Sequence, residues 1–143
     1  MSDLSLIVKA YDVRGTVPDQ LNETVAEALG TAFVQTLGPD GGRIVVARDM
    51  RETGVGLVAA FVRGATAAGA DVIDAGLGST DLLYYASGTL NLPGVMFTAS
   101  HNPARYNGLK LCRAGARPIG RDSGLVEMRE VFTHAVSEAP LVY

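Results

Sequence analysis

Hydrophobic positions in this chain switch between two spacings. Leu21, Val25, Leu29, Phe33 and Leu37 recur every four residues, which places them on one face of a helix. Asn22 is a good N-cap and Glu23 a favourable charge in the first turn. Gly38-Pro39-Asp40-Gly41-Gly42 ends that pattern. Ile44-Val45-Val46-Ala47 is short, unbroken and largely β-branched, so it predicts a buried strand. Thr53 is placed to cap a second helix with Val55, Val58, Ala59, Val62 and Ala65 facing inward and Gly69 at its end. Asp71 to Asp74 then predicts a strand, Gly76 to Thr80 a strand-to-helix turn, and Thr80 to Leu90 a helix. Val95-Met96-Phe97 and Leu109-Lys110-Leu111-Cys112 predict two more strands. Ser123 to Phe132 predicts a last helix, with Leu125, Met128 and Phe132 on one face. Leu6 to Ala10 reads as an edge strand that would make the sheet mixed. Strands alternating with helices predict an α/β fold with helices on both faces of the sheet.

Length and composition narrow the picture. At 143 residues the chain is sized for a single domain. Such a chain buries roughly two thirds of its unfolded surface. A hydrophobic fraction of 48% and a net charge of −3 argue against disorder. That charge and the lack of a basic run disfavour a general nucleic-acid binder, so no nucleic-acid partner is expected. Cys112 is the sole cysteine, so neither an internal disulfide nor a cysteine-based zinc motif can form. The apolar runs are strand-sized, short of the ~20 residues of a membrane span. Met1 to Ala10 carries Asp3 and Lys9 and does not read as a signal peptide, so the expected setting is cytoplasmic. Asn22-Glu23-Thr24 matches a glycosylation pattern, but the helix start is the better reading. The apolar tail, Pro140 to Tyr143, ends abruptly and reads as a cut into a longer chain as much as a natural terminus.

Ligands in open α/β sheets gather beyond the carboxyl ends of the strands. Three segments are expected there: Tyr11-Asp12-Val13-Arg14-Gly15 after the first strand, Arg48-Asp49-Met50-Arg51 after the next, and Thr98-Ala99-Ser100-His101-Asn102-Pro103 after Val95 to Phe97. Ser100, on a turn directly after a buried strand, is either an exposed nucleophile or a plain turn residue. It is not in a nucleophile elbow, since no Gly-x-Ser-x-Gly surrounds it. Arg14, Arg48 and Arg51 form either a phosphate site or ordinary surface pairs such as Arg48-Asp49 and Arg51-Glu52. Lys110 is one of two lysines against ten arginines. It is either a proton acceptor, a role closed to arginine, or a strand-end surface charge. No Gly-x-Gly-x-x-Gly, P-loop or His-Glu-x-x-His occurs, and no acidic cluster completes a Mg²⁺ site.

At these residues the chain resembles the phosphomannomutase/phosphoglucomutase (α-D-phosphohexomutase) family. Thr98 to Pro103 matches that family's phosphoserine loop. Tyr11 to Gly15 is similar to its N-terminal motif, and Asn107-Gly108-Leu109-Lys110 to its segment after the loop. Arg48 to Arg51 resembles its Arg-Asp-x-Arg motif, with Ala47 where the family often has Gly. The four motifs occur in the family's order and at its spacing.

The resemblance implies a single three-layer α/β/α domain with a mixed, mostly parallel sheet. Residues 1–143 correspond to the first of four domains, and the other three are expected to be absent. It implies that Ser100 carries a phosphoryl group passed between the 1- and 6-positions of hexose phosphates through a bisphosphate. Arg14 would neutralise the transferring group, Lys110 would act as general base, and His101 would assist proton transfer. Tyr11 and Asn102 would line the site. Arg48 and Arg51 would bind phosphate, or instead hold the loop and domain interface. Mg²⁺ would bind through the Ser100 phosphate, with its other ligands from the second domain, and a hexose bisphosphate would be the activator. The partners implied are hexose 1- or 6-phosphate and the remaining domains, with no activity expected of this chain alone. A phosphosugar-binding module without catalysis is the alternative, and a serine hydrolase a distant third. Apolar surface left uncovered by a missing domain predicts self-association.

Overall fold

A computed structural model of the chain describes residues 12–37, 42–119 and 130. The elements run β1 (Asp12–Thr16), α1 (Glu23–Leu37), β2 (Arg43–Arg48), α2 (Gly54–Ala67), β3 (Asp71–Leu77), α3 (Thr80–Leu90), β4 (Gly94–Phe97), β5 (Tyr106–Arg113) and the two-residue β6 (Arg117–Pro118). The strands form one sheet in the order β1-β5-β4-β2-β3, with β6 added beside β5. β4, β2 and β3 are parallel, whereas β5 is antiparallel to both β1 and β4. Among the described residues, β5 alone therefore runs against the others, and the expected mixed, mostly parallel sheet is present. The expected strand at Leu6 to Ala10 lies outside the described residues, as does the helix over Ser123 to Phe132 apart from Glu130, which is helical.

Alternation along the strands divides the core into two layers. Val13, Ile44, Val46, Val95, Phe97, Leu109 and Leu111 face α1 and α2. Val45, Ala47, Met96 and Cys112 face α3 around Leu83. Asn22 caps α1 as expected, its Oδ1 accepting the Val25 N–H at 3.0 Å. Phe33, Phe61 and Phe97 interlock across α1, α2 and β4, with centroids 5.9 and 5.4 Å apart. Tilted and edge-on pairs of this kind contribute about 0.5–1.5 kcal/mol beyond area burial. No helix among the described residues is long and apolar enough to cross a membrane.

Three expectations need correction. Asp12 to Thr16 is itself a strand, not a loop after one, because its backbone is paired with Tyr106 to Lys110. The inward face of α2 is Leu57, Val58, Ala60, Phe61, Gly64 and Ala65, while Val55 is 59% exposed and Ala59 is exposed. Docking on α1 selects the face with Phe61 and the small Gly64, so the valine spacing misleads. Thr53 does precede α2, but its hydroxyl makes no helix cap. Gly69, with φ +102, ends α2 as expected.

Candidate active site

The site stands where β4 ends. Phe97 is fully buried, and Thr98 and Ala99 remain buried, so the chain leaves the sheet from a fixed base. The Thr98 N–H donates to the Gly108 carbonyl at 2.9 Å, and the Asp49 N–H to the Phe97 carbonyl at 3.0 Å. The next residue outward is Ser100, exposed and in the left-handed region at φ 56. That conformation costs a non-glycine residue roughly 1–2 kcal/mol, and such outliers persist only where their surroundings hold them. Here the Ser100 N–H donates to Thr98 Oγ1 at 3.0 Å, and the Ser100 carbonyl accepts from Arg51 at 3.0 Å.

Arg51 organises the whole turn. Its Nη1 donates to the carbonyls of Pro103 (2.8 Å) and Tyr106 (3.1 Å), and its Nη2 to those of Ser100 (3.0 Å) and Asn102 (2.7 Å). Its Nε lies 3.4 Å from Asp49 Oδ2, and the side chain is only 8% exposed. Asp49 Oδ1 also accepts the Arg51 N–H at 3.1 Å. A guanidinium has five N–H donors; here the Nη donors serve four carbonyl oxygens, while the buried Nε makes no hydrogen bond and has only its ion pair with Asp49. Of the two roles open to Arg51 from sequence, the geometry places it on the loop backbone. Within the turn, the Asn102 N–H donates to the Ala99 carbonyl (3.0 Å) and the Tyr106 N–H to the Pro103 carbonyl (2.9 Å).

Arg14 and Lys110 lie on neighbouring strands of the sheet beside this turn. Arg14 on β1 pairs in register with Gly108 on β5, and Lys110 lies two residues further along β5, opposite Met96 on β4. By alternation Lys110 shares the sheet face of Cys112, on the α3 side. Diagonal antiparallel neighbours lie roughly 7–8 Å apart, so two half-buried basic side chains share one stretch of the sheet. Gly108 permits this: a Cβ there would overlap the Val13 carbonyl oxygen and lie 2.8 Å from Arg14 Cγ. Thr98, Gly108 and Arg14 thus form a row across three strands, spanning two strand spacings or about 10 Å, within reach of a long side chain.

The other expected residues are less central or not described. His101 is exposed beside Ser100, and Asn102 is half-buried within the turn. Arg48 ends β2 and runs past the first turn of α2, where its Cβ and Cδ would lie 3.7 and 3.8 Å from a Cβ at Gly54. Tyr11 lies outside the described residues. Sequence reasoning missed the roles of Thr53 and Asn107. Asn107 is fully buried, donates from Nδ2 to Thr53 Oγ1 at 2.9 Å, and accepts the Gly108 N–H at Oδ1. Asn-Gly ordinarily signals a turn, so nothing local marked it as a buried brace between β5 and α2. Cys112 is buried with its thiol pushed up, chiefly by that burial. It is therefore an inert core residue.

An exposed serine on a backbone-braced turn, with Arg14 and Lys110 on the adjacent strands, makes the carboxyl end of this α/β sheet the candidate site. Comparison with known proteins makes this specific. Residues 5–133 match the family model for phosphoglucomutase/phosphomannomutase, alpha/beta/alpha domain I, and the chain belongs to this family as its N-terminal domain. It is 44% identical over 124 residues to a phosphomannomutase of Klebsiella pneumoniae, covering 86% of this chain and 78% of that one. It is 46% identical over 123 residues to the phosphohexose mutases of Xanthomonas campestris, covering 85% of this chain but 27% of theirs. A phosphoglucomutase/phosphomannomutase family protein from Burkholderia thailandensis superposes with a TM-score of 0.82 at 35% identity, over 94% of this chain and 31% of that one. The chain thus spans between about a quarter and three quarters of the relatives it matches.

Proposed function

We propose that this chain is the phosphoserine-carrying domain of a phosphohexomutase that interconverts hexose 1- and 6-phosphates in the cytoplasm. The observation that carries the reading is Ser100, exposed and left-handed on a turn held through its main chain. In the forward step the free hydroxyl of a hexose monophosphate attacks the phosphorus on Ser100. The sugar O–P bond forms and the Ser100 Oγ–P bond breaks. The hydroxyl proton passes to Lys110 Nζ and from there to Ser100 Oγ. The bisphosphate then turns over and returns its other phosphoryl group by the reverse sequence, so no phosphate is gained or lost. Phosphoryl transfer of this kind depends on positioning and charge stabilisation. Arg14 supplies charge beside the loop, and His101 assists the proton's movement.

Among the described residues no group of three His, Cys, Asp or Glu is placed to hold a metal ion. The described residues do not by themselves assemble a Mg²⁺ site, and a phosphate on Ser100 is a ligand the chain would offer. In our reading the remaining ligands and the sugar contacts come from the other domains of the enzyme, so the chain alone does not turn over substrate. The test is intact mass with site mapping, before and after incubation with a hexose bisphosphate and Mg²⁺. One phosphate on Ser100, absent from Ser100→Ala, is the expected result. Phosphosugar binding that survives Ser100→Ala, with no phosphate on the wild-type serine, would instead mark a binding module.

A further inference from the structure

We infer that Arg51 is a positioning residue for phosphoryl transfer: its side chain sets the conformation from which Ser100 reacts. The kinetic part of this inference rests on the phosphoryl-carrier reading of the site. Arg51 is remote from the loop in sequence, yet its Nη atoms reach four main-chain carbonyls between Ser100 and Tyr106. The turn itself is short of internal support. Among the described residues, its own backbone bonds close two small loops, Asn102 to Ala99 and Tyr106 to Pro103. One of the Arg51 bonds falls on the carbonyl of the left-handed residue itself. Without it, Ser100 is free to relax toward an ordinary backbone conformation, which swings its Oγ.

The geometry is specific to arginine. A planar fork can serve several carbonyls at fixed angles, whereas a lysine ammonium has three donors on one atom. Asp49 completes the device. It accepts the Arg51 main-chain N–H, and its carboxylate lies 3.4 Å from Nε without a hydrogen bond, so it anchors the base of the arginine and balances a charge that is almost wholly buried.

The test uses the 143-residue chain and three variants, Arg51→Lys, Arg51→Met and Asp49→Asn, with two readouts. Asp49→Asn keeps an Oδ1 acceptor and the side-chain volume, so it serves if the arginine variants fail to fold. The first readout is amide exchange at Asn102 and Tyr106, with Val46 and Leu109 in the sheet as internal references. Loss of local protection predicts exchange at least about tenfold faster at the loop amides and unchanged at the references. The order of effect is Met above Lys above Asp49→Asn. The second readout is the rate of Ser100 phosphorylation by hexose bisphosphate with Mg²⁺. Misplacement of a reacting group on the scale of 1 Å costs about 100-fold. We therefore expect a 10- to 100-fold fall in the rate at saturating donor, with the half-saturating concentration changed less than about threefold.

Loop exchange that matches wild type in the folded variants overturns the inference. So does a loosened loop with an undiminished maximal rate, or a loss confined to donor affinity. If the unaltered chain takes up no phosphate, the phosphoryl-carrier reading falls. Exchange alone then upholds or overturns Arg51 as the holder of the loop.

Discussion

At the scale of single residues, the tightest constraint near the site is at residue 108. A methyl group there has no room between the Val13 carbonyl and Arg14 Cγ. Gly108→Ala should push β1 away from β5 and shift Arg14. The expected outcome is a loss of about 1–3 kcal/mol in urea unfolding and a fall of at least about tenfold in the rate of Ser100 phosphorylation. A second test concerns Cys112. Burial raises its thiol pKa from an ordinary value of 9.0, so above that pH the unfolded chain loses a proton that the folded chain keeps. Stability is then fully present below about pH 9 and declines as pH rises further, by at most about 1.4 kcal/mol per pH unit. Thermal unfolding between pH 8 and 10.5 should show a shallower decline in Cys112→Ala than in wild type; equal slopes would assign the decline to other groups. Ser87, buried next to that thiol, accepts the N–H of half-buried Ala116 at 3.0 Å and donates to the Leu92 carbonyl at 2.6 Å. Ser87→Ala strands both partners, and denaturation should register about 1–3 kcal/mol.

At the scale of elements, α1 and α2 approach so closely that side chains are excluded at two crossing points. A Cβ on Gly30 would overlap the Phe61 carbonyl oxygen, and one on Gly64 the Glu27 carbonyl oxygen. Gly64→Ala would ordinarily strengthen a helix by about 1 kcal/mol through propensity. Here the overlap is with backbone, which cannot rotate away, so a net destabilisation of about 1–3 kcal/mol is expected by calorimetry. The same crossing explains which elements were legible. The α1 stripe at four-residue steps was clear, and Leu21, Val25, Leu29 and Phe33 are all buried. In α2 the inward positions include Gly64 and Ala60, small residues that carry little hydrophobic signal, so the exposed Val55 pulled the predicted face round. Strand β1 was hidden for a related reason. Asp12-Val13-Arg14-Gly15-Thr16 holds one large apolar residue, and it is strand only because β5 supplies its partner.

At the scale of the molecule, several large apolar side chains remain at the site end. Met50 (78% exposed) follows β2, Val55 lies in the first turn of α2, and Leu77 (60%) closes β3. Exposed apolar surface promotes association. Light scattering should show the chain self-associating with rising concentration, and Met50→Glu with Leu77→Glu should shift it toward monomer. A monodisperse wild-type monomer at high concentration would contradict this. The candidate segments were legible. Ser100, Arg14 and Lys110 are drawn from stretches far apart in the chain, and strand register sets Arg14 and Lys110 on one stretch of sheet beside the base of the Ser100 turn. The support beneath them was legible only in part. Holding the loop was one of two roles open to Arg51, and its action on main-chain oxygens left that choice to the structure, whereas Asn107 acts on a threonine 54 residues away, which leaves no local trace.

Because Arg51 grips carbonyl oxygens, which every residue carries, the shape of the turn is nearly independent of the side chains it displays. The loop behaves as an interchangeable mount rather than a bespoke one. The restriction that remains is conformational: position 100 must accept φ 56. Asp and Asn tolerate that region, whereas a β-branched residue is an outlier there. A carboxylate could therefore be installed at position 100 in place of a phosphate with the scaffold intact, while threonine, the chemically nearest substitute for serine, would fit the mount worst.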